Sequence, residues 1–398
     1  VTSARTQVAI VGAGPAGLLL SHLLAGAGID SIVVDQRARK AIETTVRAGI
    51  LEADTVRVLT ESGGSTRVLS EGQRHDGIEL RFGGEGHRID FADLTGRGVW
   101  LYPQHEVLRD LIATRLQQGQ DLRFETTALR AVDGRPARIL VRNPDGSETE
   151  IECDFAVGAD GSRSVVREAV AGSTPSGFFR EYPFAWFGIL CEAPPSAPEL
   201  IYSNSPEGFA LISQRSAEVQ RMYLQCEPDL DPGSLSDRQI WEQLERRVAP
   251  HELTRGAIFQ RDVLRFRSFV ASRLHHGHLA LVGDAAHTVP PTGAKGLNLA
   301  VADVLVLAQA LRTLLREGDD TLVQRYADDV LPRIWKAQHF SWWMTQMLHV
   351  APDATEFDRH RQLGELTSVV DSKAGRRFLA EAYTGWPMPV SEALAAAS

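Results

Sequence analysis

Three glycine-centred turns carry most of the chemistry legible in this chain. In VAIVGAGPAG, Gly12, Gly14 and Gly17 take the spacing GxGxxG between a β-branched apolar run and the helical pattern GLLLSHLLAGAG. The first glycine permits a sharp turn, the second lets backbone approach a pyrophosphate, and the third lets helix pack on strand. Phosphates then lie at the helix N-terminus, where unpaired amides and the macrodipole favour an anion. Asp35 closes the next strand, SIVVD, where a carboxylate accepts hydrogen bonds from adenosine ribose hydroxyls. These residues predict a dinucleotide site. Further along, FAVGADGSRS delivers Asp160 and Gly161 from a strand, and HLALVGDAAHTVPPTGAKGLNLAVAD delivers Gly283 and Asp284 into a loop with Pro290, Pro291, Gly293 and Gly296. Singly, an Asp-Gly pair is an ordinary turn. The order of all three along one chain is far more specific.

A second chemistry is written in FALISQRSAEVQRMYLQC. Ser213 and Arg215 are two apart in a strand and share a face. A hairpin turning near Ala217 and Glu218 brings Tyr223 close to opposite Ser213. A guanidinium flanked by hydroxyls suits a carboxylate, because charge-assisted bidentate bonds outcompete water better than a lone ammonium does. On the residues alone, an arginine on a solvated strand face is the more ordinary reading. Tyr202 in ELIYSNS likewise reads first as packing.

The elements that must position these groups follow from pattern. Residues 6–35 form a βαβ unit. Residues 73–155 alternate short strands and turns, with a helix near 105–118. Residues 184–226 are a run of antiparallel strands. Beyond about residue 296, LNLAVADVLVLAQALRTLLREG shows apolar residues at helical spacing. The chain has 398 residues, 43% hydrophobic, enough for a sizeable core. A net charge of -9 without a basic block predicts no nucleic-acid and no anionic-membrane partner. Cys153, Cys191 and Cys226 have no CxxC spacing, so neither a disulfide framework nor a metal site is expected, and a cytoplasmic location fits. VTSARTQVAIVGAG lacks the marks of a signal peptide. No window has the ~20 unbroken apolar residues of a membrane span.

The glycine, Asp-Gly and Gly-Asp motifs, in this order, resemble the fingerprints of the single-component flavoprotein aromatic hydroxylases. The likeness runs from the first strand to AYTGWP. It is similar to members acting on 4-hydroxybenzoate in RAGILE, YPFAWFG, SQRSA, PPTGAKGLNLA and RIWKAQHFSWWMT. The resemblance implies an α/β fold: a Rossmann-like FAD-binding domain over 1–175, completed by about 266–300, an antiparallel-sheet substrate domain over 176–290, and a flavin-edge loop with a helical C-terminal region over 291–398. It implies FAD as cofactor, NADH or NADPH as electron donor, O2 as oxidant, and hydroxylation of 4-hydroxybenzoate at C3.

For the cofactor, the resemblance implies Arg47 and Gln104 at the ribityl and diphosphate region, Asp284 on the ribityl chain, and Leu297 and Asn298 at the isoalloxazine. For the substrate, it implies Ser213, Arg215 and Tyr223 on the carboxylate, Tyr202 on the phenolic oxygen, Tyr383 next in a proton relay opening at His75, and the Pro291 carbonyl beside the substrate hydroxyl. The chemistry calls for such a relay, since a phenolate ring is attacked by electrophilic oxygen more readily than a phenol. A histidine titrates near neutrality.

One segment departs from the family pattern. NADPH-selective relatives carry Arg, Tyr and Arg where this chain has Gln36, Ala41 and Thr45, and His where it has Arg163; Arg267 is retained. That leans toward NADH, although Arg37, Arg39 and Lys40 are near enough to recruit a phosphate. The tentative nicotinamide contacts are Gln36, Arg37, Arg47, Arg163 and Arg267. The aromatic SWWMTQML helix is a candidate homodimer contact. Two alternatives stay open: a hydroxylase of another para-substituted benzoate, and a flavin-binding protein without hydroxylase activity.

Overall fold

From Val8 to Val11 every residue of the first strand, Thr2–Val11, is buried, as expected for a parallel strand covered on both faces. The computed structural model, which describes residues 2–45, 49–390 and 394, sets this strand between two parallel neighbours, Ser31–Val34 and Glu148–Gly158. Leu279–Leu281 continues the parallel order beyond Glu148–Gly158, and Asp121–Arg123 extends the opposite edge. Val11 pairs with both Val34 and Gly158, and Gly158 pairs with Leu281. Four strands therefore end in register, and Gly12, Asp35, Asp160 and Gly283 leave the sheet from one edge. Open parallel sheets bind ligands at this carboxyl edge.

A second sheet of eight strands carries the substrate signals. Its order is His287–Thr288, Ala257–Ala271, Gly177–Glu192, Val219–Cys226, Gly208–Gln214, Leu200–Ser205, Gly77–Phe82 and Glu85–Asp90. The last two strands fall inside the 1–175 division predicted from sequence, yet they pair into this sheet. Gly77–Phe82 runs parallel to Leu200–Ser205, and a parallel pair needs a long connection, which position along the chain does not reveal. A small third sheet joins Ile50–Glu52, Val99–Leu101 and Gln73–His75.

The helical tail comprises Gly296–Glu317, Thr321–Leu348, Glu356–Asp371 and Lys373–Thr384. Gly296–Glu317 has the length and hydropathy to cross a membrane, but two-thirds of its most apolar stretch is buried against Pro15–Gly26 and Thr321–Leu348. The core has three parts: one around the parallel sheet, one between the second sheet and the tail helices, and one beneath Asp237–Val248.

Candidate active site

The three motifs meet as their strand ends require. Gly12 has φ +111°, and a Cβ there would lie 2.2 Å from the Ala159 carbonyl oxygen; one on Gly17 would lie 1.9 Å from the Gly12 oxygen. Gly14 differs: its nearest neighbour is 4.0 Å away, which leaves its backbone open to a ligand at the N-terminus of Pro15–Gly26. Asp35 accepts the Ala13 N–H at 2.8 Å, and Arg37 lies across both its oxygens at 2.7 and 2.9 Å. Asp160 caps Val165 through one oxygen while the other is enclosed without a partner, and burial raises its pKa. Arg167 ties the second motif to the third, donating to the Ser162 and Ala285 carbonyls. Backbone approach at Gly14 and unused acceptor capacity at Asp160 fit a dinucleotide.

Of the other predicted cofactor contacts, Gln104 begins the helix Gln104–Gln117 and is half-buried. Asp284 is exposed in the turn Gly283–Ala285. Gln36 and Arg163 are exposed and Arg267 half-buried. Arg47 lies outside the described residues. Leu297 is half-buried in the first turn of Gly296–Glu317. The side-chain amide of Asn298 is spent within the protein, which leaves its backbone for the predicted flavin contact. Its Oδ1 accepts from Glu52 N and Thr55 Oγ1, and its Nδ2 donates to the Ile50 and Ala294 carbonyls. With its amide fully used inside the protein, only the backbone of this turn can face a flavin.

On the second sheet, Tyr202 and Tyr383 are both about 1% exposed, with hydroxyls 2.8 Å apart. Burial pushes both phenols well above their ordinary pKa, so they remain neutral donors near pH 7. Arg215 lies close enough to Tyr202 to influence its ionisation. The guanidinium donates to the Gln214 carbonyl at 3.0 Å and approaches Ser213 Oγ at 3.4 Å, and its Nε is enclosed without a partner. No carboxylate among the described residues lies within 4.0 Å of it. Burial lowers its pKa, and Tyr223 opposes that shift. A partly desolvated cation without an acid partner is destabilising, and an incoming carboxylate answers that need.

One predicted detail is corrected, the residue opposite Ser213, and the surroundings of His75 and Pro291 become specific. Residue 213 stands opposite Arg221, and Tyr223 stands opposite Leu211, because the hairpin closes more tightly than expected, with the Arg215 N–H on the Val219 carbonyl. Ser213 Oγ donates to the Arg221 carbonyl at 2.7 Å, while Tyr223 stays on the same face and interacts with both guanidinium groups. His75, 3% exposed, bonds the Gln214 amide at 2.8 Å and neither tyrosine, since the end of Gly208–Gln214 covers it. Burial lowers its pKa, resisted by Glu199 and Asp76. The Pro291 carbonyl already accepts the Ala294 N–H at 2.9 Å, leaving one lone pair, and Ala294 closes that turn at φ +54°.

Several groups in this region escaped sequence reasoning. Lys295 is buried on Glu52 at 2.7 Å and on the Tyr383 carbonyl at 2.8 Å. Arg221 binds both oxygens of Asp262 at 2.7 Å. His349 accepts the Trp186 indole N–H at 2.7 Å. Their only sequence signal is a charge or imidazole inside an otherwise apolar or glycine-rich motif. Trp343, a predicted interface residue, donates to Glu365 at 2.7 Å and packs on Phe378; Trp342 is half-buried.

A family model described as an FAD binding domain matches residues 5–341. The p-hydroxybenzoate hydroxylase of Acinetobacter baylyi is 40% identical over 390 residues, 97% of this chain and 96% of that protein. The 3-amino-4-hydroxybenzoate 2-monooxygenase of Streptomyces cremeus is 27% identical over 89% of this chain and 91% of that one. Among solved structures, p-nitrophenol 4-monooxygenase PnpA from Pseudomonas putida DLL-E4 superposes with a TM-score of 0.81 at 19% identity, covering 98% of this chain and all of that one.

Proposed function

The chain belongs to the FAD-binding-domain family of flavin-dependent monooxygenases, and on that premise we propose that it hydroxylates 4-hydroxybenzoate at C3 to 3,4-dihydroxybenzoate. The observation that carries the substrate is the pairing of Arg215, whose Nε is enclosed without a partner and which, among the described residues, has no acid beside it, with the Tyr202–Tyr383 hydroxyl pair. A para-hydroxy acid satisfies both. Its carboxylate takes the Arg215 fork, helped by Tyr223 and, once the serine hydroxyl turns away from the Arg221 carbonyl, by Ser213. Its phenolic oxygen takes the Tyr202 hydroxyl, whose own oxygen accepts from Tyr383.

Bound FAD supplies the redox chemistry with a nicotinamide and O2, as a flavin does throughout such enzymes. The protein's share is orientation, exclusion of water and control of one proton. Tyr202, held neutral by burial, stabilises the substrate oxygen as phenolate by donating to it, and the proton leaves along the tyrosine pair. Because His75 bonds Gln214, its part in that exit requires a bridging water or a small rearrangement of Gln214.

The donor reading is NADH in preference to NADPH, or use of both. Arg37 is paired with Asp35 and Arg39 with Glu43 at 2.7 Å, so a 2′-phosphate would compete with these exposed pairs or take Lys40. The reading extends to a cytoplasmic homodimer, which light scattering of the purified protein tests. Product analysis after turnover of 4-hydroxybenzoate with NADH and with NADPH tests the function. The expected result is 3,4-dihydroxybenzoate, with kcat/KM for NADPH no more than about tenfold that for NADH, each decade being 1.4 kcal/mol. Nicotinamide oxidation that benzoate does not accelerate would overturn the hydroxylase reading. Faster turnover of another para-substituted benzoate would move the substrate.

A further inference from the structure

Behind the Gly-Asp turn, His287 and Asp303 are each about 1% exposed, with His287 Nε2 at 2.5 Å from Asp303 Oδ2. The same carboxylate oxygen accepts the Gly283 N–H at 3.0 Å. Gly283 opens the turn that carries Asp284. Asp303 stands in Gly296–Glu317, whose first turn carries Leu297 and Asn298. One oxygen thus fastens together the two elements that the proposed site assigns to the ribityl chain and the isoalloxazine. A carboxylate at this depth persists only when paired, and the geometry leaves His287 as the cation.

We propose that His287 and Asp303 are positioning residues for FAD, an imidazolium–carboxylate dyad that fixes the Gly-Asp turn against the N-terminus of Gly296–Glu317 and thereby sets flavin affinity. The inference rests on the FAD reading of this site. Around the dyad, burial alone lowers the His287 pKa, but Asp303 and then Asp284 together outweigh it and the net shift is upward. Tyr326 reaches in from Thr321–Leu348 to donate to the Leu281 carbonyl at 2.8 Å, and Arg333 on the same helix feels the Asp303 charge. A cavity of about 320 Å³ is lined in part by Asp303, Val306, Asp329 and Arg333.

A histidine with a raised folded-state pKa contributes fully below its unfolded value, and the contribution is lost as pH rises through the folded value. The support that the dyad gives the fold is therefore lost on the alkaline side, and because the dyad clamps the Gly-Asp turn, flavin retention should fall with it. The experiment is release of FAD from diluted holoenzyme, read by flavin fluorescence between pH 6 and 9, with melting temperature followed in parallel. Wild type should release more FAD toward pH 9, with the melting temperature falling in parallel. His287→Gln, which keeps a donor for Asp303 without the charge, should bind at pH 6 as wild type does at pH 9 and show no slope. Asp303→Asn should weaken binding at every pH. If Asp303→Asn does not fold, His287→Gln still decides. A dyad that is merely structural would lower the melting temperature and leave the slope unchanged, and that result overturns the proposal. Wild type retaining no FAD at any pH would overturn the FAD reading itself, a distinguishable failure.

Discussion

Replacing Arg215 by Met separates binding from stability, because the two should move in opposite directions. The side chain keeps its length and apolar stem but loses a guanidinium whose Nε is enclosed without a partner and which has no carboxylate within 4.0 Å among the described residues. Without ligand, the wild type bears the desolvation of that charge. Replacing buried charged groups by well-packed apolar ones is neutral or stabilising by about 1–4 kcal/mol, and the lower end applies since Arg215 is only half-buried as a residue. With ligand the sign reverses: removing one partner of a buried charge-assisted pair costs about 2–5 kcal/mol, which raises Kd about 30-fold to a few thousand-fold. Thermal melting with and without 4-hydroxybenzoate, plus equilibrium titration of the benzoate, reads both effects. Arg215→Met should melt slightly higher alone and gain almost nothing from benzoate. Arg215→Lys, which keeps the charge without the fork, should fall between. A lower melting temperature for ligand-free Arg215→Met would make the arginine a structural group. Benzoate affinity within threefold of wild type would place the carboxylate elsewhere.

Tyr202→Phe removes the hydroxyl proposed to face the substrate oxygen and should cut kcat by about 10²–10⁴ while KM changes little; steady-state assays of product formation check this, and an equal rise in KM would mark Tyr202 as a binding group only. Gly12→Ala puts a methyl 2.2 Å from the Ala159 oxygen at a positive φ and should impair folding, whereas Gly14→Ala meets no protein atom nearer than 4.0 Å and should fold normally yet release FAD, as melting curves beside flavin retention will show. His349, held neutral between Trp186 and Thr345, has its pKa lowered by burial to about 3. The unfolded chain therefore takes up this proton from pH 6.5 downward while the folded one does not until near 3, and stability falls by about 2 kcal/mol between pH 6.5 and pH 5. Urea unfolding of His349→Gln should show a shallower acid slope than wild type, and an identical slope would refute the assignment.

What was legible in the sequence, and what was not, divides along a physical line. Gly12, Asp160 and Gly283 are found from spacing because each follows its own strand within two residues, so local pattern suffices; that their strand ends align is then a property of the sheet. The Ser213–Arg215 face was legible for the same reason, but the residue opposite Ser213 depended on how tightly four turn residues close, and the register moved from Tyr223 to Arg221. Buried charge pairs were beyond reach. Lys295 and Glu52 are 243 residues apart, and which loops fold over a charge is decided by tertiary structure. Asn298 is the instructive case, because spacing points to the residue and not to the use of its side chain. Its amide is spent on Glu52, Thr55, Ile50 and Ala294, as Asp303 is spent on Gly283 and His287. The groups left to meet a flavin at that edge are backbone amides, held from behind by side chains that do not face it. Substitutions at Asn298, Lys295 or Asp303 should therefore disturb flavin binding and loop order together, while those at Arg215 and Tyr202 act on the substrate with the flavin in place.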